Sequence, residues 1–356
     1  MVIHIYMAFM NVFKLIFSSS FIIYFCLSYS VLSQQTKFLQ YSKKTIHSRA
    51  FIGDLIGTNI GEIYRWDFEM DSFDLINPTN LFPEIRDIHS TLGNEIIAMQ
   101  TGDKGAIVRI DKSGSINRIP FYEDNDKTKS IFLDGMSFEG NTGFLMGDPV
   151  NGYFSVYKSM DLGKTWTTCE GKIKAIEGEA AFAASGSTVH IIDGLFTFVS
   201  GGKASRYFKS ADKGNTWEIS AVPFPSCDAC GAYSMCYLPK KSKKSTIQVS
   251  DINKIIIVGG DYTKPNETKN TCFYSLNGGK TWKKPRISTG GYRSSVIEVD
   301  RVLYCCGTNG VDYSIDFGKT WNSISNENCF ALSSNETSIL ASTTNGRILV
   351  LKKITK

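Results

Sequence analysis

The sequence has no long run of lysine or arginine. Its densest basic stretch is Lys240-Lys241 with Lys243-Lys244, and a formal net charge of +5 spread over 356 residues is too thin to hold a nucleic-acid backbone. No Gly-x-Gly-x-x-Gly follows a strand pattern, and strand and helix patterns do not alternate. That excludes a nucleotide crevice between parallel strands, and no cofactor is implied. Proline is scarce, with 9 residues, whereas 31 glycines and 12% aromatic residues suit many short strands joined by turns. After residue 33 the only histidines are His47, His89 and His190, and none lies near the single Cys-x-x-Cys, Cys227-Asp228-Ala229-Cys230. With no second pair to complete a metal site, these cysteines read first as a structural clip in a loop. Zinc binding and a reactive dithiol remain the alternatives.

Acidic residues are absent from the first 33 positions, where Lys14 and His4 are the only groups that can carry charge. The apolar run Phe21–Leu32 and the step Val31-Leu32-Ser33 before Gln34-Gln35 predict a secretory signal peptide cleaved after Ser33. The interruption Ser18-Ser19-Ser20 and the short run disfavour an uncleaved anchor. The expectation is an exported chain with no membrane span after cleavage and one domain over residues 34–356. Cleavage removes Cys26 and leaves eight cysteines, Cys169, Cys227, Cys230, Cys236, Cys272, Cys305, Cys306 and Cys329. An even number permits disulfides, and their pairing stays open.

What the chain does have is a phrase, Ser-x-Asp/Asn-x-Gly-x-Thr-Trp, that occurs four times: Ser159–Trp166, Ser210–Trp217, Ser275–Trp282 and Ser314–Trp321. Asp161, Asp212, Asn277 and Asp316 stand where a short polar side chain accepts from backbone N–H groups just ahead, and glycine two residues later takes the positive φ that closes a hairpin. Trp166, Trp217, Trp282 and Trp321 then open the next strand, with enough bulk to bury at a seam between sheets. The phrase resembles the Asp-box, or bacterial neuraminidase repeat, and that resemblance implies a β-propeller with the boxes at the outer hairpin of each blade.

The count extends to seven units by following each β-run into a Gly-rich turn and a second β-run. The turns are Gly57–Gly61, Thr101–Gly105, Gly147–Gly152, Ser200–Gly202, Gly259–Tyr262, Gly307–Gly310 and Thr343–Gly346. The first two units end in degenerate boxes, around Asp67 and at Asp111–Gly114, and the last stops before its box. Phe38–Tyr41 is available to complete that last blade and remove an open edge. The fold class read here is all-β, a seven-bladed β-propeller, with Ser220–Gly231 and Pro239–Ser245 as decorations of the fifth blade.

Between the boxes stand Phe132–Met136, Gly147–Pro149, Gly178–Gly186, Gly259–Tyr262, Gly291–Ser294 and Gly307–Ser314. In this order they resemble a family of exported bacterial proteins with neuraminidase-type repeats, related to the photosystem II assembly-factor propellers and loosely labelled oxidoreductase or glycosyl hydrolase. The likeness runs from about Ile85 to the C-terminus and implies a seven-bladed propeller with a binding or assembly role. If the Gly-rich turns share one rim, Asp134, Asp148, Glu179, Asp261, Tyr262, Tyr292, Arg293, Asp312 and Tyr313 converge around the central channel as a polar, aromatic recognition surface. The bland reading of Asp148 and Asp261 is that each caps a turn. The function read here is a non-catalytic scaffold for a protein or glycan partner. The alternative is a sialidase-like glycoside hydrolase with Glu179 as activating base, Tyr313 as nucleophile and Arg293 gripping a carboxylate, joined by Arg206. No metal site is assigned.

Overall fold

The computed structural model describes residues 37–355, apart from 78–82, 92, 103–104, 124–125 and 240–249. The expected leader over residues 1–33 and the segment 240–245 lie outside the described residues. Phe38–Lys356 is one compact unit built from antiparallel sheets. Among the described residues there is no helix, and so none long and apolar enough to cross a membrane.

Seven sheets follow one another along the chain as the blades of a propeller. Blade 1 runs from Ser48 to Leu75, blade 2 from Ile85 to Pro120, blade 3 from Leu133 to Thr168 and blade 4 from Val189 to Ala221. Blade 5 spans Cys230–Ser275, blade 6 Ser295–Ser325, and blade 7 combines Cys329–Ser334, Ser338–Thr343 and Arg347–Lys352 with Lys37–Gln40 as its outermost strand. Ring closure is secured at the outer corner, where Tyr41 N donates to Gly346 O at 2.8 Å and Gln40 Nε2 to Asn345 O at 2.6 Å. Ser220–Gly231 is placed differently from the expectation. Glu218–Ala221 is the outer strand of blade 4, residues 222–229 are the connection that leads into blade 5, and Cys230 and Gly231 begin the inner strand of blade 5.

The middle strands are apolar on both faces because each blade is sandwiched between two others. Ile96–Gln100 and Val302–Gly307 are buried at every residue, whereas the outer strands Ile116–Pro120 and Glu218–Ala221 are mostly exposed. Seven apolar clusters fill the seven seams. Between blades 3 and 4, for example, Phe144 stacks on Phe196 at 4.6 Å and Phe198 on Phe208 at 4.1 Å. The box tryptophans enter successive seams: Trp166 between blades 2 and 3, Trp217 between 3 and 4, Trp282 between 4 and 5, and Trp321 between 5 and 6.

All four boxes carry one hydrogen-bond network. The serine hydroxyl accepts from the glycine N–H at 2.8–2.9 Å, and the Asp or Asn Oδ1 accepts from the threonine N–H at 2.8–3.0 Å. The glycines take the required positive φ, and so do the residues before them, Leu162, Lys213, Gly278 and Phe317. Three of those are not glycine, so the local hydrogen bonds hold a conformation that their side chains disfavour. The two degenerate boxes keep part of the network. Asp67 accepts from the Glu69 and Met70 amides, and Asp111 from Ser113 and Ser115.

Candidate binding site at the channel mouth

In four of the seven blades the second residue of the inner strand faces a shared space. Arg49, Arg86, Asp134 and Phe330 hold that position in blades 1, 2, 3 and 7. They line a cavity of about 440 Å³ together with Asp148, Phe182, Tyr233, Tyr262 and Tyr292. Four of the residues expected at a common site, Asp134, Asp148, Tyr262 and Tyr292, are thus brought together.

One wall is aromatic. Phe182 and Tyr233 stack face to face with centroids 4.2 Å apart and planes within 3°. Tyr292 meets Tyr233 edge-on at 4.8 Å, and Tyr262 completes the shelf at 6.4 Å from Tyr233. Tyr292 is buried, whereas Tyr262 is 53% exposed and offers its ring to solvent. Close backbone packing sets this wall: a side chain at Gly201 would strike the Phe182 ring, and Gly231 at φ 140° packs against Gly201.

The opposite wall is charged. Arg86 donates to Ala183 O at 2.6 Å and pairs with Glu84 at 2.7 Å. The Arg49 guanidinium lies over the Phe330 ring at 5.3 Å, and its buried Nε finds no hydrogen-bond partner among the described residues. Burial, and then the adjacent Arg86, lower the pKa of Arg49. Asp134 has no solvent exposure, and neither oxygen has a well-directed donor, although the Ala183 and Asp148 amides lie close. Burial and then Asp148 raise its pKa well above the usual carboxylate range, against the pull of Arg86. Burial also raises Asp148, which accepts from Ala181 N at 2.9 Å and so ties the blade 3 turn to the segment entering blade 4.

The other expected site residues stand elsewhere. Glu179 is buried and accepts from Arg206 Nε at 2.8 Å and Nη2 at 2.5 Å, and from Ile176 N at 2.9 Å. Arg293 is buried with Asp312: its Nη2 lies 2.6 Å and its Nε 2.8 Å from Asp312 Oδ2, while Nη1 donates to Tyr292 O at 2.8 Å and to Asn309. Tyr313 packs half-buried into the seam of blades 6 and 7. Asp261 caps its own turn through Thr263 N at 2.9 Å and faces Lys264 at 3.6 Å. A base, nucleophile and arginine at Glu179, Tyr313 and Arg293 are therefore not gathered around one pocket.

Arg49, Arg86, Phe182, Tyr233 and Phe330 escape the sequence reading. Their signal is positional, in the aligned starts Ser48-Arg49-Ala50, Ile85-Arg86-Asp87, Leu133-Asp134-Gly135 and Cys329-Phe330-Ala331, and it emerges only once inner-strand boundaries are known. The Cys-x-x-Cys is a disulfide, Cys227–Cys230, beside the aromatic shelf. With Asp261 these cysteines are the one group among the described residues whose ligand atoms lie within 4.8 Å of each other, but the bond between the sulfurs uses both thiolates. The other six cysteines among the described residues are buried thiols.

No protein-family model matches the chain, and no curated protein matches it in sequence. Among solved structures it is similar to YCF48 bound to D1 peptide, with TM-score 0.60 and 13% identity over 90% of this chain and 96% of that one. A chain of the mitotic checkpoint complex gives TM-score 0.60 at 9% identity, over 90% and 91%. The GH74 enzyme of Niastella koreensis gives 0.55 at 17% identity, over 73% of this chain and 41% of that one. The chain thus spans less than half the length of that enzyme. These likenesses concern the fold and put the chain among the β-propellers.

Proposed function

We propose that this chain is an exported, non-catalytic propeller scaffold that binds a polypeptide segment at the channel mouth. The observation that carries the reading is the pairing of an aromatic shelf, open at Tyr262, with Arg49 and Arg86 across a cavity of about 440 Å³. Such a wall accepts apolar and aromatic side chains, while the guanidinium groups and the Tyr262 hydroxyl can donate to backbone carbonyls and acidic side chains. The structure of YCF48 bound to D1 peptide, similar over nearly the full length of both chains, supports a polypeptide as the partner class. Export rests on the leader expected over residues 1–33.

The second reading is a glycoside hydrolase, favoured by the adjacent carboxyl groups of Asp134 and Asp148 and by the likeness to the GH74 enzyme. Closure of Asp134 from solvent counts against it, because a general acid must reach the leaving-group oxygen. The test is a peptide array probed with the full chain, beside a panel of fluorogenic glycosides. Peptide binding weakened roughly 30-fold by Tyr262→Ala, as for an aromatic hot spot, supports the scaffold. Glycoside turnover lost in Asp148→Asn would replace it with the hydrolase.

A further inference from the structure

We propose that the Cys227–Cys230 disulfide is a site of thiol–disulfide exchange with a dithiol reductant, and that its state sets the position of the aromatic shelf. The consequence for binding rests on the scaffold reading above; the exchange chemistry and its effect on the shelf do not.

The disulfide closes the four-residue loop that carries Ala229, and the Ala229 carbonyl holds two residues of the shelf. Tyr233 Oη donates to it at 2.8 Å and Tyr262 N at 3.4 Å. Cys230 is buried at the start of the blade 5 inner strand, paired with Asp261, while Cys227 is partly exposed in a loop whose neighbours Ser226 and Asp228 face solvent. Outside the disulfide the loop is fastened by exposed contacts, Ser226 Oγ to Lys203 O at 2.7 Å and Lys203 to Asp228 at 2.8 Å, and by two long backbone bonds, Cys227 N to Gly202 O at 3.4 Å and Cys230 N to Cys227 O at 3.2 Å. An exposed ion pair of this kind contributes little, so the covalent bond is the strongest single tie across the loop that carries Ala229. The six buried thiols offer no accessible competitor. Burial raises Cys169, Cys272 and Cys329 to about 12 and Cys236, Cys305 and Cys306 well above the usual thiol value.

The reaction balances with the reductant alone. A thiolate of the dithiol attacks Cys227 Sγ, the accessible sulfur, and the Cys227–Cys230 bond breaks as a mixed disulfide forms. Cys230 leaves with the electron pair and takes a proton. The second thiol of the reagent then displaces Cys227, which is protonated in turn, and the reagent departs as its own cyclic disulfide. The protein has gained two electrons and two protons. A covalent bond is replaced by a van der Waals contact between two thiols, so the loop widens. The Ala229 carbonyl moves with it, and the Phe182–Tyr233 stack and the exposed Tyr262 ring lose their common anchor.

The experiment treats the full chain with dithiothreitol under native conditions, maps alkylated cysteines by mass spectrometry, and follows hydrogen exchange at residues 229–233 and 262 with near-ultraviolet circular dichroism of the tyrosines. We expect label at Cys227 and Cys230 while Cys169, Cys236, Cys272, Cys305, Cys306 and Cys329 stay protected. We also expect at least tenfold faster exchange at the Tyr233 and Tyr262 amides and a change in the tyrosine signal, reversed on reoxidation. Cys227→Ser with Cys230→Ser should show the reduced behaviour without reagent and no response to it. Failure to reduce the bond while the chain stays folded would overturn the exchange site; complete reduction with unchanged exchange and tyrosine signal would overturn the coupling to the shelf. Neither readout uses a peptide, so loss of the scaffold reading would leave both results interpretable.

Discussion

Replacing Arg293 by alanine tests whether this residue belongs to the ring's interior or to its recognition surface. Its side chain is 1% exposed and that of Asp312 is 2%, and the carboxylate is otherwise met by Gly290 N at 2.8 Å. Removing the guanidinium leaves a buried carboxylate with that single donor, and breaking one side of such a pair costs about 3–5 kcal/mol. For a chain of this length that corresponds to a fall in Tm of roughly 4–7 °C. Asp312→Ala should cost a similar amount, whereas the double variant Arg293→Met with Asp312→Leu should return to within about 1 kcal/mol of the parent, since two apolar side chains strand no charge. Differential scanning calorimetry on the four proteins ranks them. A Tm for Arg293→Ala within about 1 °C of the parent, or a double variant as unstable as the singles, would refute the account of Arg293 and Asp312 as a closed structural pair.

The contribution of Asp87 to stability should fall as pH rises from about 4 to 8. Burial pushes Asp87 up to about 8, against the pull of the Met136 and Ile88 amides, so within that window the folded chain holds a proton the unfolded chain has released. The slope, up to about 1.4 kcal/mol per pH unit, should flatten in Asp87→Asn when urea midpoints are compared from pH 5 to 8. The boxes act in the opposite sense. Burial opposes the charge of Asp161, but the Thr165 hydroxyl and amide and the Ser159 hydroxyl outweigh it and pull the carboxyl down to about 2. Asp161→Ala should therefore cost about 1 kcal/mol at neutral pH, a solvent-screened figure, and the difference should fade as pH drops from about 4 toward 2. Trp321→Ala should be far worse, about 3–5 kcal/mol, because Trp321 is 3% exposed in the seam of blades 5 and 6, and urea unfolding of the two variants ranks them.

The propeller was legible because its repeated element is local. Asp161, Gly163 and Thr165 act on each other within one hairpin, so their spacing alone carries their geometry, and the Trp that follows reports a seam. The closing strand Phe38–Tyr41 could be read from what the last unit lacked. The site resisted for a different physical reason. Glu179 and Arg206 are 27 positions apart and Arg293 and Asp312 are 19, and nothing local distinguishes a glutamate neutralised by a distant arginine from one aimed at a ligand. Arg49 and Arg86 carry no local signal, because their placement depends on the register of the inner strand. Tyr262 and Tyr292 were found because glycines flag the turns that carry them, but the Phe182–Tyr233 stack between them joins segments 51 positions apart, and no local pattern announces it.

Closing blade 7 with residues from the beginning of the chain has a consequence for how the ring is made. Gln40 and Asn345 are separated by 305 positions, and bringing ends that distant together costs about 5 kcal/mol of chain entropy, against about 1.5 kcal/mol for a hairpin turn of five residues. As the polypeptide emerges from N- to C-terminus, Phe38–Gln40 must wait unpaired while six blades assemble behind it, because its partner strand Arg347–Lys352 is among the last segments to appear. Assembly therefore has a fixed final step, and until it occurs the nascent ring presents two unsatisfied strand edges, that waiting segment and the growing blade, to whatever chaperone or neighbouring chain meets it first.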